Sequence, residues 1–123
     1  YIGNNSLIRS YTSVGKNCSV GSGVELKNCV VMDNSQIGRL SFVGDSVLGE
    51  NVDMGAGCMT VNRTVDWKPI SVKNGKRPMG TGMTKLGAFL GDGVVVGAGN
   101  TLQPGTVVAP GKILPACYSV TQK

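Results

Sequence analysis

Arg9 and Lys27 stand 18 positions apart, and each directly follows an aliphatic residue, Ile8 and Leu26. If the chain coils back on itself every 18 residues, the two cations project from one face about one strand spacing apart, ~4.8 Å. Cations that close repel unless an anion lies between them. A phosphate, with several acceptor oxygens, suits such a clamp; the plain alternative is a pair of solvated surface cations. A second concentration of charge lies in 63–85, where Arg63, Lys68, Lys73, Lys76, Arg77 and Lys85 face Asp66 as the one acidic residue. The remainder holds equal numbers of basic and acidic residues, so the net charge of +5 belongs to this segment. Basicity confined to one segment, in place of a broad stripe with interleaved aromatics, points to a local anionic ligand and away from a nucleic-acid face.

What must position these residues is a repeat. Ile2, Ile8, Val14, Val20, Leu26 and Met32 recur every six residues, with Gly3, Gly15 and Gly21 following three of them. The fifth positions are Ser6, Thr12, Cys18, Val24, Val30 and Gln36, mostly small or β-branched. Five-residue steps occur from Met32 to Ile37 and from Val43 to Leu48, and the ladder continues through Met54 and Thr60. It returns at Leu90, Val96, Leu102, Val108, Leu114 and Val120. A period of six fits neither a helix nor simple alternation. It fits a short strand and a turn, three of which close a triangular coil of roughly 18 residues. The leading and fifth residues then point inward, and Gly or Asn at the corners supplies positive φ. Six-residue spacing also argues against a sandwich, whose turn signals recur every ~8–12 residues.

The expected architecture is all-β: a parallel β-helix with one inserted loop. The chain divides into coils at 1–62, a basic insertion at 63–85 and coils at 86–123. Within the insertion, VKNGKRP reads as a hairpin with Asn74-Gly75 in its turn, and Trp67, the sole tryptophan, either packs the loop or meets a ligand or neighbouring subunit. A chain of 123 residues fits one domain. Tyr1 opens in mid-repeat, so the chain reads as a piece of a longer protein. No apolar run approaches the ~20 residues that span a bilayer. With no His and no CxxC pair, the four cysteines read as reduced core thiols of a cytoplasmic protein, and a structural zinc site is not expected.

The stretches LIRSYTSVG, VELKN, GRLSFVGDSVLGENVDMGAG, the Asn62 that closes TVN, and KLGAFLGDGVVVGAG resemble hexapeptide acyltransferases. More narrowly, they resemble the C-terminal acetyltransferase domain of the bifunctional N-acetylglucosamine-1-phosphate uridylyltransferases and archaeal sugar-1-phosphate nucleotidylyltransferases. The likeness covers almost the whole chain, and 37–62 carries it most specifically. It implies a left-handed coil, a homotrimer that covers the coil's flat walls, and an N-terminal nucleotidylyltransferase domain outside this sequence. It also implies transfer of acetyl from acetyl-CoA to a hexosamine 1-phosphate, with no metal required by this domain. Arg9 and Lys27 then fall at positions that bind the sugar phosphate, Phe42, Asn62 and Lys68 at positions near the substrate, and Ala56, Ala98 and Ala116 at positions that line the acetyl-CoA groove.

The departures bear on catalysis. Where the family has GHL with His as general base, this chain has Gly38-Arg39-Leu40; a Tyr of the same stretch is Phe42, and an Asn is Asp53. Imidazole can take a proton from an amine nucleophile near neutrality, whereas a guanidinium keeps its protons. Loss of a general base removes roughly 10²–10⁴-fold of rate. Asp53 is a carboxylate that can stand in as a weak base, and Arg39 can instead serve as a further cation for an anionic ligand. Two readings follow: an acyltransferase with an altered base, or a catalytically silent trimerisation or ligand-sensing module of the nucleotidylyltransferase.

Overall fold

The computed structural model describes residues 1–74 and 77–117. In chain order the strands are β1 (Leu7–Ile8), β2 (Ser13–Val14), β3 (Ser19–Val20), β4 (Glu25–Lys27), β5 (Val30–Val31), β6 (Gln36–Ile37), β7 (Phe42–Gly44), β8 (Val47–Leu48), β9 (Asp53–Met54), β10 (Met59–Thr60), β11 (Ser71–Asn74), β12 (Arg77–Gly80), β13 (Phe89–Leu90), β14 (Val95–Val96), β15 (Thr101–Leu102), β16 (Val107–Val108) and β17 (Ile113–Leu114). Three five-stranded parallel sheets form the walls of a solenoid. The first wall runs β1-β4-β7-β10-β15, the second β2-β5-β8-β13-β16, and the third β3-β6-β9-β14-β17. Every third strand therefore stacks, as a triangular coil requires.

The inward residues are Val20, Leu26, Val31, Ile37, Val43, Leu48, Met54, Leu90 and Val96, all buried. This corrects the expected ladder at one place. Val31 is buried and Met32 is exposed, while Cys29 and Ser35 lie inside and Val30 and Gln36 face out. The five-residue step thus falls at Leu26 to Val31, one position earlier than its expected site. The physical reason is the coil length. Ile8 pairs with Leu26, 18 residues on, but Val14 pairs with Val31, Val20 with Ile37 and Leu26 with Val43, each 17 on. A coil one residue short can close only by tightening one corner.

Corner chemistry follows the expected rule in one column, while Tyr11, Leu40 and Asp45 take positive φ at the others. Asn17, Asn34, Asn51, Gly93 and Gly111 form one column of positive-φ residues, positions where Asn and Gly meet little steric penalty. Small residues also serve close approach. A Cβ on Gly38 would lie 2.4 Å from the Ala56 amide nitrogen, so the backbone of one coil rests directly on the next.

The insertion leaves after Asn62 and returns in register. The Leu86 amide donates to the Asn62 carbonyl (3.0 Å), and that of Gly87 to the Asp45 carbonyl (2.7 Å). Between them β11 and β12 pair antiparallel, Asn74 opposite Arg77. The hairpin is as expected, but Asn74, expected in its turn, ends β11 opposite Arg77; Gly75, the other expected turn residue, lies outside the described residues, as does Val120. On the second wall Val30, Val47, Phe89 and Val107 stack in one outward column, with Val30, Val107 and neighbouring Met32 exposed. Cys18, Cys29 and Cys58 are buried free thiols, and Cys117 is exposed. Among the described residues no helix is long and apolar enough to cross a membrane.

Candidate functional site

Asp45 organises the corner that follows the first wall. It follows β7 with φ of 50°, and its side chain is 6% exposed. The coils on either side each supply an amide: Asn28 donates to Asp45 Oδ1 and Asn62 to Oδ2, both at 2.8 Å. Lys27 Nζ completes the set, 3.1 Å from Oδ2. Burial works to raise the Asp45 carboxyl, but the hydrogen bonds from Asn28, Asn62 and Lys27, together with the Lys27 charge, hold it below its ordinary value. A buried carboxylate must be compensated this way or it protonates.

Arg9 lies at the same end of the wall. β1 and β4 pair with the 18-residue register, so Arg9 and Lys27 do occupy adjacent coils as expected. Neither is a bare cation, however: Arg9 Nη1 meets Glu25 Oε2 at 2.9 Å, as Lys27 meets Asp45. Phe42 begins β7, and its ring folds back over Gly44, where a Cβ would lie 2.4 Å from Phe42 Cζ and 3.4 Å from Asn62 Nδ2. Lys27 and Asn62 therefore meet at Asp45 and Phe42 lies over the adjacent Gly44, while Arg9, one coil further out, pairs with Glu25. Lys68 is not; it sits exposed in the insertion, 3.5 Å from Asp66. Asp45 and Asn28 escaped the sequence reading. Their signal was the 17-residue spacing of Asn28, Asp45 and Asn62, invisible while the coil was taken as 18.

The remaining candidate residues lie at a different corner. A groove of about 450 Å³ is lined by Ser19, Ser22, Gln36, Arg39, Asp53 and Ala56, among others. Arg39 and Ala56 share a column. The Gly57 amide bonds to the Arg39 carbonyl, that of Gly99 to Ala56 and that of Cys117 to Ala98, so Arg39, Ala56, Ala98 and Ala116 sit on successive coils. Arg39 is exposed and forms no ion pair among the described residues. Asp53 on β9 is also exposed and opens to the same groove. The chain thus holds a satisfied polar corner and, separately, an open groove with a cation at its end.

Stacked hexads, Asn/Gly corners and an intervening hairpin define a parallel β-solenoid of the hexapeptide class. Residues 1–118 match the family described as the GMPPB C-terminal domain, and the chain belongs to that family. It is 40% identical over 106 residues to a bifunctional sugar-1-phosphate nucleotidylyltransferase/acetyltransferase of Sulfurisphaera tokodaii, covering 86% of this chain and 26% of that protein. It is 40% identical over 101 residues to the bifunctional protein GlmU of Methanocaldococcus jannaschii, covering 82% of this chain and 24% of that one. The chain spans about a quarter of the length of these relatives. Among solved structures, a hexapeptide transferase family protein from Anaplasma phagocytophilum shares the fold, with a TM-score of 0.61 at 20% identity over 91% of this chain and 60% of that one. The chain is thus an acetyltransferase-type β-helix domain related to bifunctional nucleotidylyltransferase/acetyltransferases.

Proposed function

We propose that this domain binds a sugar phosphate at the Asp45 corner and transfers acetyl from acetyl-CoA to a hexosamine 1-phosphate, as part of a cytoplasmic sugar-1-phosphate nucleotidylyltransferase. The observation that carries this reading is the meeting of Lys27 and Asn62 on one buried carboxylate, with Arg9 on the adjacent coil of the same wall. Arg9 would turn from the partly solvated Glu25 to the phosphate oxygens, and Lys27, whose ammonium has three protons to donate, would reach them while still holding the buried Asp45. The amine attacks the thioester carbonyl, the C–S bond breaks, and CoA thiolate leaves. The proton released from nitrogen goes to water or to Asp53. The Ala56, Ala98 and Ala116 column offers the donor a floor of small side chains. The coil is left-handed and the assembly a homotrimer, in which one subunit's groove faces another's Asp45 corner; the outward column of Val30, Val47, Phe89 and Val107 supports such association.

The test is incubation with acetyl-CoA and glucosamine or galactosamine 1-phosphate while following free CoA. Release above that of Lys27→Ala is expected; release equal to that control overturns the activity for these substrates. A second reading is favoured by one observation, the exposed Arg39 where a proton acceptor is expected. In that reading the domain is a silent trimerisation and ligand-sensing module. A monomer by sedimentation counts against both.

A further inference from the structure

A cluster at the base of the insertion takes no part in the reading above. Arg63 follows Asn62, and Lys85 precedes Leu86, so the Leu86–Asn62 hydrogen bond sets the two basic residues side by side where the loop leaves and re-enters the wall. Both cations lie over Trp67: the Arg63 guanidinium carbon is 4.3 Å from the ring centroid, and Lys85 Nζ is 5.4 Å from it. Trp67 is held in place by a local turn. Its amide donates to the Thr64 carbonyl at 3.3 Å, and the next amide, Lys68, donates to Thr64 Oγ1 at 2.9 Å. The turn keeps Trp67 at φ 58°, which a bulky side chain avoids. Trp67 is nevertheless 53% exposed as a residue, so it is not buried as core.

Among the described residues neither Arg63 nor Lys85 has a carboxylate partner, in contrast to Arg9, Lys27 and Lys68. Two cations over one ring centroid lie within about 10 Å of each other, close to the reach of a diphosphate, and the ring partly compensates their desolvation. The exposed part of the indole is open to a planar base. Lys85 also lines a groove of about 240 Å³ that reaches Asn28 and Asp45, so a ligand here would lie next to the polar corner without using it.

We propose that Arg63, Trp67 and Lys85 form a binding site for the diphosphate of a nucleotide, with Arg63 and Lys85 on the phosphates and Trp67 against the base. This assignment does not depend on acetyl transfer. Trp67 is the sole tryptophan, so its fluorescence reports the site directly. The protein should be titrated with inorganic pyrophosphate, a nucleoside diphosphate sugar, free CoA and glucosamine 1-phosphate. The expected result is a saturable change with pyrophosphate and a tighter one with at least one of the two nucleotides, the sugar monophosphate being weaker. Whichever nucleotide binds tighter identifies the source of the diphosphate. The Arg63→Gln, Lys85→Gln double variant should bind at least about tenfold more weakly and with a shallower dependence on salt. Lys112→Gln, which removes an exposed cation far along the chain from the site, should bind as wild type. No response to pyrophosphate or either nucleotide overturns the proposal, as does a double variant that binds as tightly as wild type. It is equally overturned if Lys112→Gln weakens binding as much as the double variant does, because the response then follows net charge and not this site.

Discussion

Two corners of the same solenoid treat charge in opposite ways. At the end of the first wall, Asp45 is closed off by Lys27, Asn28 and Asn62, with every carboxylate oxygen in use. At the neighbouring corner Arg39 stands exposed on a column otherwise made of Ala56, Ala98 and Ala116, and faces a groove. The backbone geometry is similar, since both are tight turns between short strands. The side chains make the difference. A short polar residue at a corner can reach its copies on adjacent coils and form a ladder; a long cation on a column of alanines has no such neighbour. The first arrangement contributes stability and preorganises whatever binds beside it. The second contributes little stability and is free to change with function.

The largest expected effect concerns Arg39. If the groove is a catalytic site lacking its base, Arg39→His raises CoA release with a hexosamine 1-phosphate on the order of 10²-fold or more. A rate that stays at the level of Lys27→Ala favours the silent module and breaks the functional half of the comparison. Next comes the packing beneath that groove. Gly38→Ala places a Cβ against the Ala56 amide and the Gly55 carbonyl carbon, and should lower unfolding free energy by about 2–3 kcal/mol in urea titrations. An unchanged midpoint would mean that the coils do not rest on each other there.

Asp45→Asn keeps the shape of the closed corner and removes its charge. The expected loss is about 1–2 kcal/mol at neutral pH. The pH dependence sharpens the point. The folded Asp45 carboxyl is held below its ordinary value, so the stability it adds is present above the unfolded value, about pH 4, and is lost as pH falls through the folded one. The difference between wild type and Asp45→Asn should therefore be constant from neutrality down to about pH 4 and close below it. A gap that persists in acid would mean that the carboxylate charge is not what holds the corner. Smallest of all, Arg39→Ala should alter stability by no more than about 0.5 kcal/mol in the same titration. A larger loss would show that the groove corner is as tightly coupled as the other.

Much of this was legible in the residues. The six-residue ladder announced stacked coils because no other element has that period, and the Asn and Gly corners announced turns because few residues tolerate positive φ. The hairpin in 63–85 was readable from its composition, although Asn74 proved to end a strand. The misplaced step at Met32 shows the limit. Val30, Val31 and Met32 are three adjacent apolar residues, and hydrophobicity alone does not say which one faces in. Pairing of Val31 with both Val14 and Leu48 does. The same one-residue error hid Asp45. An 18-residue column shows Arg9 and Lys27, and a 17-residue column shows Asn28, Asp45 and Asn62, yet the chain uses both.

By itself, the sequence determined the coil, its corners, the place of the insertion and the absence of any imidazole, because each is set by local steric preference or by the chemistry of a single side chain. Only the tertiary structure decided the register between coils, and with it which charges meet. Lys27 and Asp45 are 18 residues apart, and Arg9 and Glu25 are 16 apart. Whether such pairs touch depends on a single residue of coil length, which closure of the whole triangle settles.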